Sequence, residues 1–387
     1  MSAVAIKGWC PGAWRPMQSG DGFVARIKPH DGRIDAEQAA GIADLAEQYG
    51  NGLIDLTNRA NLQIRGVSEE GLPSLIDGLA KLRLVDPDPD IEARRNILVA
   101  PFWTPGDEVI SIAEELERAL AAGPVGLPAK FGFAIDCGSE RVLAGSSADV
   151  RIERDVDRQL IVRADGVELG RRVTRDEAAN VAIDLANWFV ASGGVNDSRG
   201  RMAAHIASGT NLPHALGGDA LPARKQAMPR PGLTPHGALF GVAFGQMTHT
   251  LLQWLASRTN GLRMTPWRML LAEGLNQMPA CEGLITRADD PLLRVVACSG
   301  APRCPEAYAD TRALAARLAP HIAADVRLHV SGCAKGCAQS GPTTITLVAT
   351  AEGFDIVHSG STRDAPAQRG LMEANILANS SVFLGGR

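Results

Sequence analysis

The chain has 387 residues, with 39 Lys and Arg against 43 Asp and Glu, and 45% of it is hydrophobic. At roughly 150 residues per domain, this length predicts two to three domains with several buried cores. The 21% of charged residues is ordinary for a folded protein and, with this hydrophobic share, excludes a disordered chain. The net charge of -4 provides no general positive field for nucleic acid, so local basic side chains must bind any anionic ligand.

Neither a membrane span nor a signal peptide is expected. No run of residues approaches the roughly 20 apolar positions that a span needs. The N-terminal segment MSAVAIKGWCPG has only a short apolar patch, which Lys7 interrupts. Seven cysteines are too few for a disulfide scaffold, so we expect a cytoplasmic protein with reduced thiols.

The chain repeats its order of secondary structure. Hydrophobic periodicity predicts a strand, a helix and a long second strand in residues 22–67, and the same plan in residues 237–275. The segments that follow, 94–138 and 292–333, each predict strand, helix and strand. This order indicates an internal duplication, with residues 193–235, rich in Gly, Ser and Pro, as a linker.

The strongest chemical signal is a group of four cysteines near the C-terminus. Their spacing is C-x5-C, then 28 residues, then C-x3-C, and they are Cys298, Cys304, Cys333 and Cys337. Each pair follows a predicted strand, so a sheet can bring both loops together around one inorganic centre. Structural zinc sites usually have about two to four residues between paired ligands. The spacing therefore favours an iron–sulfur cluster, with zinc and unrelated buried thiols as alternatives.

Local features around the cysteines support such a centre. Cys304–Pro305 is predicted to open a helix whose N–H groups point at the site. Gly332 and Gly336 would let the backbone approach sulfur closely. The remaining cysteines are expected to be small core residues, with Cys10 as the one further candidate; they are Cys10, Cys137 and Cys281.

A second signal is a predicted strand with one entirely polar face. In residues 54–64 the two-residue period places apolar side chains on one face, and the opposite face carries Thr57, Arg59, Asn61, Gln63 and Arg65. At about 3.3 Å per residue this polar strip would extend roughly 26 Å. No carboxylate balances its arginines, and guanidinium groups bind carboxylates as a planar fork. The strip predicts a site for a large anionic ligand, and a solvated sheet face is the alternative.

These motifs resemble the nitrite and sulfite reductase superfamily, from Gly12 to about Thr350. Besides the cysteine spacing, the similar motifs are Thr57-x-Arg59-x-x-x-Gln63, Arg95-Asn96 and Thr265-Pro266-Trp267-Arg268. The resemblance implies a duplicated α+β fold, in which two ferredoxin-like half-domains and two α/β cluster-type domains are related by pseudo-twofold symmetry. It also implies that the four cysteines hold a [4Fe-4S] cluster.

The resemblance and the duplication together give the expected domain boundaries. They are 10–90 for the first ferredoxin-like half-domain, 91–192 for an α/β domain without cluster cysteines, 193–235 for the linker, 236–290 for the second half-domain, and 291–387 for the cluster-binding α/β domain.

Within the superfamily the sequence resembles the precorrin-3B synthase family. The segments involved are Cys10-Pro11-Gly12, Pro16-Met17-x-x-Gly20-Asp21-Gly22 and Asn51-Gly52-Leu53-Ile54-Asp55-Leu56-Thr57. The reductases carry Lys-x-Lys on a strand of the first copy, where both ammonium groups hold a small inorganic anion. Here that strand reads Lys130-Phe131-Gly132. A buried charge-assisted hydrogen bond contributes about 1.5–3 kcal/mol, so the missing lysine disfavours sulfite or nitrite as substrate.

The family resemblance implies a monooxygenase that uses O2 and precorrin-3A, a tetrapyrrole with a fringe of carboxylates. One oxygen atom is added to a meso carbon, and the ring A acetate closes to a lactone. The substrate contacts that the superfamily implies are Arg59, Asn61, Gln63, Arg65, Arg95, Lys130 and Arg268. NADH is the implied electron source, directly or through a separate reductase, since no Gly-x-Gly-x-x-Gly fingerprint follows a strand.

The catalytic residues and the O2-activating centre are not assigned. A mononuclear non-haem iron is left open as this centre, although the eight histidines form no facial-triad pattern that would point to its ligands. His329, four residues before Cys333, is expected to be a packed structural histidine. Two alternatives remain: a sirohaem-dependent nitrite or sulfite reductase of the same fold, and a non-catalytic [4Fe-4S] electron-transfer protein, which would leave the arginine-bearing strands without a role.

Overall fold

The structure is a computed structural model, and it describes residues 11–123, 126–138 and 140–379. Cys10, the further cysteine candidate, lies outside these residues. The described chain forms four sheets of five or six strands each. None of the helices in these ranges is both long enough and apolar enough to cross a membrane.

The first half-domain is built around one long amphipathic helix. Its elements are β1 (Met17–Ser19), β2 (Gly22–Ile27), β3 (Arg33–Asp35), α1 (Ala36–Tyr49), β4 (Leu53–Leu56), β5 (Leu62–Val67), α2 (Leu72–Lys81) and α3 (Pro89–Arg94). Helix α1 begins at a capping box, in which Asp35 accepts from the backbone N–H of Gln38 and the Gln38 side chain accepts from that of Asp35. Its buried face, including Ile42 and Ala46, packs in the core of the half-domain.

The next unit is a mixed sheet with helices against it. Its elements are β6 (Ile97–Val99), α4 (Glu108–Ala122), β7 (Phe133–Asp136), β8 (Val150–Arg154), β9 (Leu160–Ala164), β10 (Arg171–Arg172) and α5 (Arg175–Ala191). The strands lie in chain order; β6, β7 and β8 are parallel, and β9 and β10 continue antiparallel. Phe131, Phe133 and Phe189 pack together in its core.

The segment predicted as a linker, 193–235, contains regular structure. Helix α6 (Met202–Ala207) and strand β11 (Gly232–Thr234) lie within it. The buried Asp149 side chain accepts from Arg201 Nε at 2.9 Å and from the Met202 N–H at 2.8 Å. These bonds tie the segment to the first α/β unit, and β11 already belongs to the second half-domain.

The second half of the chain repeats the first. Its half-domain contains β12 (Gly237–Val242), β13 (Gln246–Thr248), α7 (His249–Ala256), β14 (Gly261–Met264), β15 (Met269–Glu273) and β16 (Leu284–Ile285). The last unit contains β17 (Val295–Ala297), α8 (Thr311–Leu318), β18 (Leu328–Ser331), β19 (Thr343–Thr350), β20 (Gly353–Gly360), β21 (Gln368–Leu371) and α9 (Glu373–Ala378). Strands β17 to β21 have the same order and the same directions as β6 to β10.

The two half-domains exchange a strand, which confirms the duplication. The first sheet has the order β1-β2-β5-β4-β13 and the second the order β11-β12-β15-β14-β3. Each exchanged strand follows a short turn with one left-handed residue, Asp31 (φ 54°) before β3 and Phe244 (φ 55°) before β13. Equivalent strands therefore occupy equivalent places, as a pseudo-twofold relation requires.

The prediction of one long polar strand over residues 54–64 is wrong, because the chain turns back there as a hairpin between β4 and β5. The Thr57 hydroxyl accepts from the backbone N–H groups of Arg59 (3.3 Å) and Asn61 (3.1 Å). Ala60 completes the turn with a φ of 54°. Side-chain hydrogen bonds of this kind offer the backbone an alternative to a sheet ladder, and here they outweigh the alternating pattern.

The second copy forms the same hairpin between β14 and β15. The Thr265 hydroxyl accepts from the Trp267 N–H at 3.3 Å, and Arg268 has a φ of 59°. Arg268 therefore occupies the left-handed position of Ala60 and is not the equivalent of Arg59. The two hairpin ends present their arginines at different places along the turn.

Candidate functional site

Two parallel strands bring the cysteine pairs to one edge of the last sheet. Strand β17 ends immediately before Cys298, and β18 ends two residues before Cys333. The two strands pair in parallel, so their C-terminal ends meet at the same edge. The expected meeting of the two strand-end loops is confirmed.

Polar groups of the backbone and of one hydroxyl surround the Cys298 sulfur. The Gly332 N–H donates to Cys298 Sγ at 3.2 Å, and Thr311 Oγ1 lies 3.7 Å from the same sulfur. A Cβ atom on Gly332 would lie 2.6 Å from the Cβ of Ala307, which no side chain tolerates. Glycine is therefore required here, and its N–H can stabilise a thiolate that ligates a cluster.

The helix near the cysteines begins later than the sequence predicted. A helix opening at Cys304–Pro305 was expected, but α8 begins at Thr311, where Asp310 accepts a hydrogen bond of 3.1 Å from a first-turn N–H. The residues between form turns around the cysteines, and the Tyr308 N–H donates to the Gly332 carbonyl at 2.9 Å. The helix N-terminus thus approaches Cys298 through Thr311, not through Cys304.

The four thiols lie within electrostatic reach of one another. Burial raises the pKa of the Cys337 thiol, and the neighbouring Cys333, Cys298 and Cys304 raise it further. Within the described ranges, no three His, Cys, Asp or Glu side chains converge closely enough to hold one metal ion. A cubane accepts each thiolate on a different iron, so its four ligands lie further apart than the four ligands of a tetrahedral zinc site.

Three arginines from two units, which we call the arginine triad (Arg268, Arg303 and Arg312), lie beside the cysteines. Arg268 Nη2 donates to the Ala338 carbonyl, one residue after Cys337, at 3.1 Å. Burial lowers the pKa of both Arg268 and Arg312. The Arg312 charge lowers that of Arg268 further, and the charges of Arg65 and Arg303 lower that of Arg312. Of these three arginines, only Arg268 was predicted from the sequence, although basic residues inside and just after the cysteine loop are a signal for the other two.

The tip of the first hairpin lines a small cavity of about 10 Å³, room for about one water molecule. Its lining includes Arg59, Asn61, Asn96 and Gly132. Arg59 Nη2 donates to the Lys130 carbonyl at 2.9 Å, and a Cβ atom on Gly132 would lie 3.6 Å from Arg59 Nη1. Gly132 stands where the reductases have the second lysine, and because it has no side chain the space beside the Arg59 guanidinium stays open.

Two of the predicted substrate contacts are engaged with carboxylates. Arg65 is 5% exposed and pairs with Asp55 at 3.0 Å and Asp21 at 2.8 Å. Arg95 is 4% exposed, and its Nε lies 2.8 Å from Asp86. The structure thus places both guanidinium groups inside the protein with acidic partners, not on an open polar face.

The remaining predicted contacts differ in exposure. With its amide oxygen facing Arg26, Gln63 accepts from that guanidinium at 3.0 and 3.2 Å. Lys130 is exposed, and Asn61 is buried at the cavity. The hairpin thus brings Arg59 and Asn61 together and separates them from Arg65.

His329 lies inside the last sheet on β18. It is fully buried, and neither ring nitrogen has a hydrogen-bond partner among the described residues. Burial and the nearby Arg268 charge lower its pKa to about 4. The imidazole is therefore neutral at physiological pH, as expected of a packed histidine.

The first α/β unit carries a different chemistry at the equivalent edge. Its register places Ala100 at the position of Cys298, and Cys137 at that of Gly332. Cys137 is 3% exposed and lies 3.6 Å from the carbonyl oxygen of Ile152, to which its thiol donates. Burial raises the pKa of this thiol, so it behaves as the core residue that the sequence predicted.

Replacing Asp136, next to Cys137, by Asn should stabilise the protein at neutral pH. Oδ2 of Asp136 accepts from the Leu143 N–H at 2.6 Å, whereas Oδ1 is buried without a partner among the described residues. Burial raises the pKa of this carboxyl to about 6. Its folded pKa exceeds the unfolded one, so its stability contribution is present below about pH 4 and lost as the pH rises towards 6. At about 1.36 kcal/mol per pKa unit, Asp136→Asn should gain on the order of 2–3 kcal/mol at neutral pH.

Urea unfolding at about pH 4 and about pH 7.5 measures this gain. The matched control is Asp289→Asn, because the Asp289 side chain is 71% exposed. A gain of equal size at both pH values would contradict a carboxyl with a raised pKa.

Comparison with known proteins agrees with this architecture. Residues 15–82 match the nitrite/sulfite reductase ferredoxin-like half domain. The structure of the Mycobacterium tuberculosis NirA protein is similar with a TM-score of 0.63 and 16% identity, over 92% of this chain and 79% of NirA. Residues 15–82 are thus similar in sequence to this half domain, and the chain is similar in fold to NirA.

Two relatives cover nearly the whole chain. A precorrin-3B synthase from Sinorhizobium sp is 29% identical, over 93% of this chain and 84% of that protein. A ferredoxin–nitrite reductase from Leptolyngbya laminosa is 23% identical, over 91% of this chain and 82% of that protein. At comparable coverage, the identity is higher with the synthase.

Proposed function

We propose that the chain is a precorrin-3B synthase of aerobic cobalamin biosynthesis, which converts precorrin-3A to precorrin-3B. The observation that carries this proposal is its similarity to a precorrin-3B synthase over 93% of its length. Gly132 supports it, because the space beside Arg59 holds no second lysine for a small inorganic anion.

The proposed cofactor is a [4Fe-4S] cluster on Cys298, Cys304, Cys333 and Cys337, which supplies single electrons when bound. The chain contributes the four thiols, the Gly332 N–H that donates to Cys298 Sγ, and the positive charge of the arginine triad. This charge would offset the negative charge of a thiolate-ligated cluster. We propose no ligands for a mononuclear iron.

The proposed substrate site lies between the two hairpin ends. A Cβ atom on Gly245 would lie 3.0 Å from Arg268 Cδ and 3.1 Å from the Leu56 carbonyl, so the Arg268 side chain passes close to the end of β4. The first hairpin, with Arg59 and Asn61, starts at that end. Arginines of both copies therefore flank one region, and tetrapyrrole carboxylates are the anions that such spaced guanidinium groups suit.

The proposed reaction consumes O2 and two electrons. One oxygen atom joins the meso carbon of precorrin-3A, and the other leaves as water with two protons and the two electrons, which come from NADH directly or through a reductase. The ring A acetate then adds to the ring carbon beside that meso carbon and forms the lactone. This uses the π bond between the two carbons, and the proton of the acid ends on the new meso hydroxyl. The residues named here bind and orient the substrate, and no side chain is assigned to the proton transfers.

The test is a single-turnover reaction with precorrin-3A, a chemical electron donor and 18O-labelled O2. We expect a lactone product that carries one labelled oxygen atom, and an anaerobic spectrum of the resting protein with a [4Fe-4S] cluster. A sirohaem absorption together with nitrite or sulfite reduction would replace this function by that of the reductases. If the substrate stayed unlabelled while the cluster was intact, the alternative of a non-catalytic electron-transfer protein would replace this function.

Replacing Arg59 by Ala should weaken tetrapyrrole binding about ten- to hundred-fold without loss of the cluster, since one or two charge-assisted hydrogen bonds disappear. Absorbance titration with the substrate measures the affinity, and iron analysis checks the cluster. Arg287→Ala is the control, because the Arg287 side chain is 76% exposed and pairs with Asp289. Equal affinity of the Arg59 variant and wild type would remove Arg59 from the site.

A further inference from the structure

The arginine triad carries more positive charge than its described neighbours neutralise. The Arg312 side chain is 13% exposed, and its guanidinium is 3.7 Å from Asp55 Oδ1. The Nε and Nη1 atoms of Arg312 are buried, and the described part of the chain offers them no hydrogen-bond partner. Buried guanidinium N–H groups without acceptors are unfavourable, so this geometry calls for an anion.

Asp55 cannot be that anion, because it is already shared. Its Oδ2 accepts from Arg65 at 3.0 Å, and its Oδ1 accepts from Gln246 Nε2 at 2.7 Å. Arg303 contacts the neutral Oε1 of the same Gln246 at 3.4 Å. The Asp55 carboxylate thus serves Arg65 and Arg312, while the contact of Arg303 with Gln246 is to a neutral amide oxygen.

We propose that Arg312 and Arg303 bind one carboxylate of the tetrapyrrole on the side of the cysteines; this rests on the proposed function. Arg312 follows Thr311, whose hydroxyl contacts Cys298 Sγ, so a ligand held there lies against the cysteine edge. A carboxylate suits the fork of a guanidinium, whereas Cys298 Sγ already accepts a hydrogen bond from the Gly332 N–H. The pair would complement Arg59 and Asn61 at the opposite hairpin.

The test is a binding titration of cluster-loaded protein with uroporphyrin III, a stable tetrapyrrole that carries eight carboxylates. We expect Arg312→Met to weaken binding at least ten-fold and Arg312→Lys to weaken it less. Arg317→Met is the matched control, since Arg317 lies on the same helix but is 59% exposed and pairs with Glu373. This control should bind uroporphyrin as wild type does.

A second readout separates the substrate from the cluster as the anion. In a redox titration followed by EPR, porphyrin-free Arg312→Met should show a lower midpoint potential than wild type, because the cluster loses a nearby positive charge. A shifted potential with unchanged porphyrin affinity would mean that Arg312 neutralises only the cluster, and it would overturn the proposal. Unchanged affinity and potential would overturn it as well.

Two further outcomes are distinguishable. If Arg312→Met lost its cluster, Arg303→Met would be titrated in its place, because that substitution removes only a contact with a neutral amide. Wild-type affinity of Arg303→Met for uroporphyrin would then overturn the proposal. If wild type itself bound no porphyrin, the proposed function, and not merely these two residues, would be contradicted.

Discussion

Purified Cys333→Ala protein should contain almost no iron and no acid-labile sulfide. Cys333 follows β18 at the sheet edge, and its sulfur raises the pKa of Cys337, so it lies among the other thiols. Removing it leaves three ligands for four irons. Because a cluster binds the folded protein alone, we also expect the melting temperature to fall. Iron and sulfide analysis after anaerobic purification measures the loss.

Cys281→Ala is the matched control for this variant. Cys281 is a half-buried thiol that packs against the core of the half-domains and is separate from the group of four. It should retain iron and sulfide at the wild-type level. Full cluster content in Cys333→Ala would remove the proposed ligand set, and with it the proposed redox chemistry.

The duplication and the cysteine edge could be predicted because both depend on long or specific patterns. Helices α1, α4 and α7 have clear hydrophobic periodicity, and buried strands precede each cysteine loop. The hairpins could not be predicted from alternation, since Thr57 and Thr265 redirect the backbone through a few local hydrogen bonds. The strand exchange was missed because β3 and β13 have only three residues each.

The substrate residues were harder to predict because sequence alone does not reveal the partner of a charge. Arg59 and Arg65 look alike in the sequence, but the hairpin places Arg59 at a cavity and Arg65 between two acids. The partners of Arg303 and Arg312 are known only from the fold, which brings Arg312 to Asp55 and Arg303 to Gln246 of the half-domains.

The two half-domains carry opposite charges at equivalent positions. The strand registers make Arg263 the equivalent of Asp55 and Glu273 the equivalent of Arg65. Within each half-domain the two residues form a buried ion pair: Arg65 pairs with Asp55, and Arg263 pairs with Glu273, with Nε 2.6 Å from Oε1. The exchanged strand adds a third member in each copy, Gln246 from β13 in the first sheet. Divergence after duplication thus preserved the pairing and reversed its sign, as expected of an interaction that supports the fold.

Replacing Arg65 by Met should therefore destabilise the protein by about 3–5 kcal/mol, because it leaves the buried Asp55 and Asp21 carboxylates without their common partner. In the unfolded chain water solvates both carboxylates, so they do not need Arg65 as a partner there. Urea unfolding at neutral pH measures the loss, with Arg287→Met as the exposed control.

The same variant separates a structural Arg65 from a substrate contact. If Arg65 supports the fold, folded Arg65→Met at low temperature keeps most of its affinity for tetrapyrrole, in contrast to Arg59→Ala, which keeps its stability and loses affinity. An unchanged urea midpoint combined with lost binding would show the reverse, and would return Arg65 to the substrate site that the sequence first predicted. Measuring both quantities on both variants distinguishes the two roles, because the hairpin has put one arginine at a cavity and the other in a buried ion network.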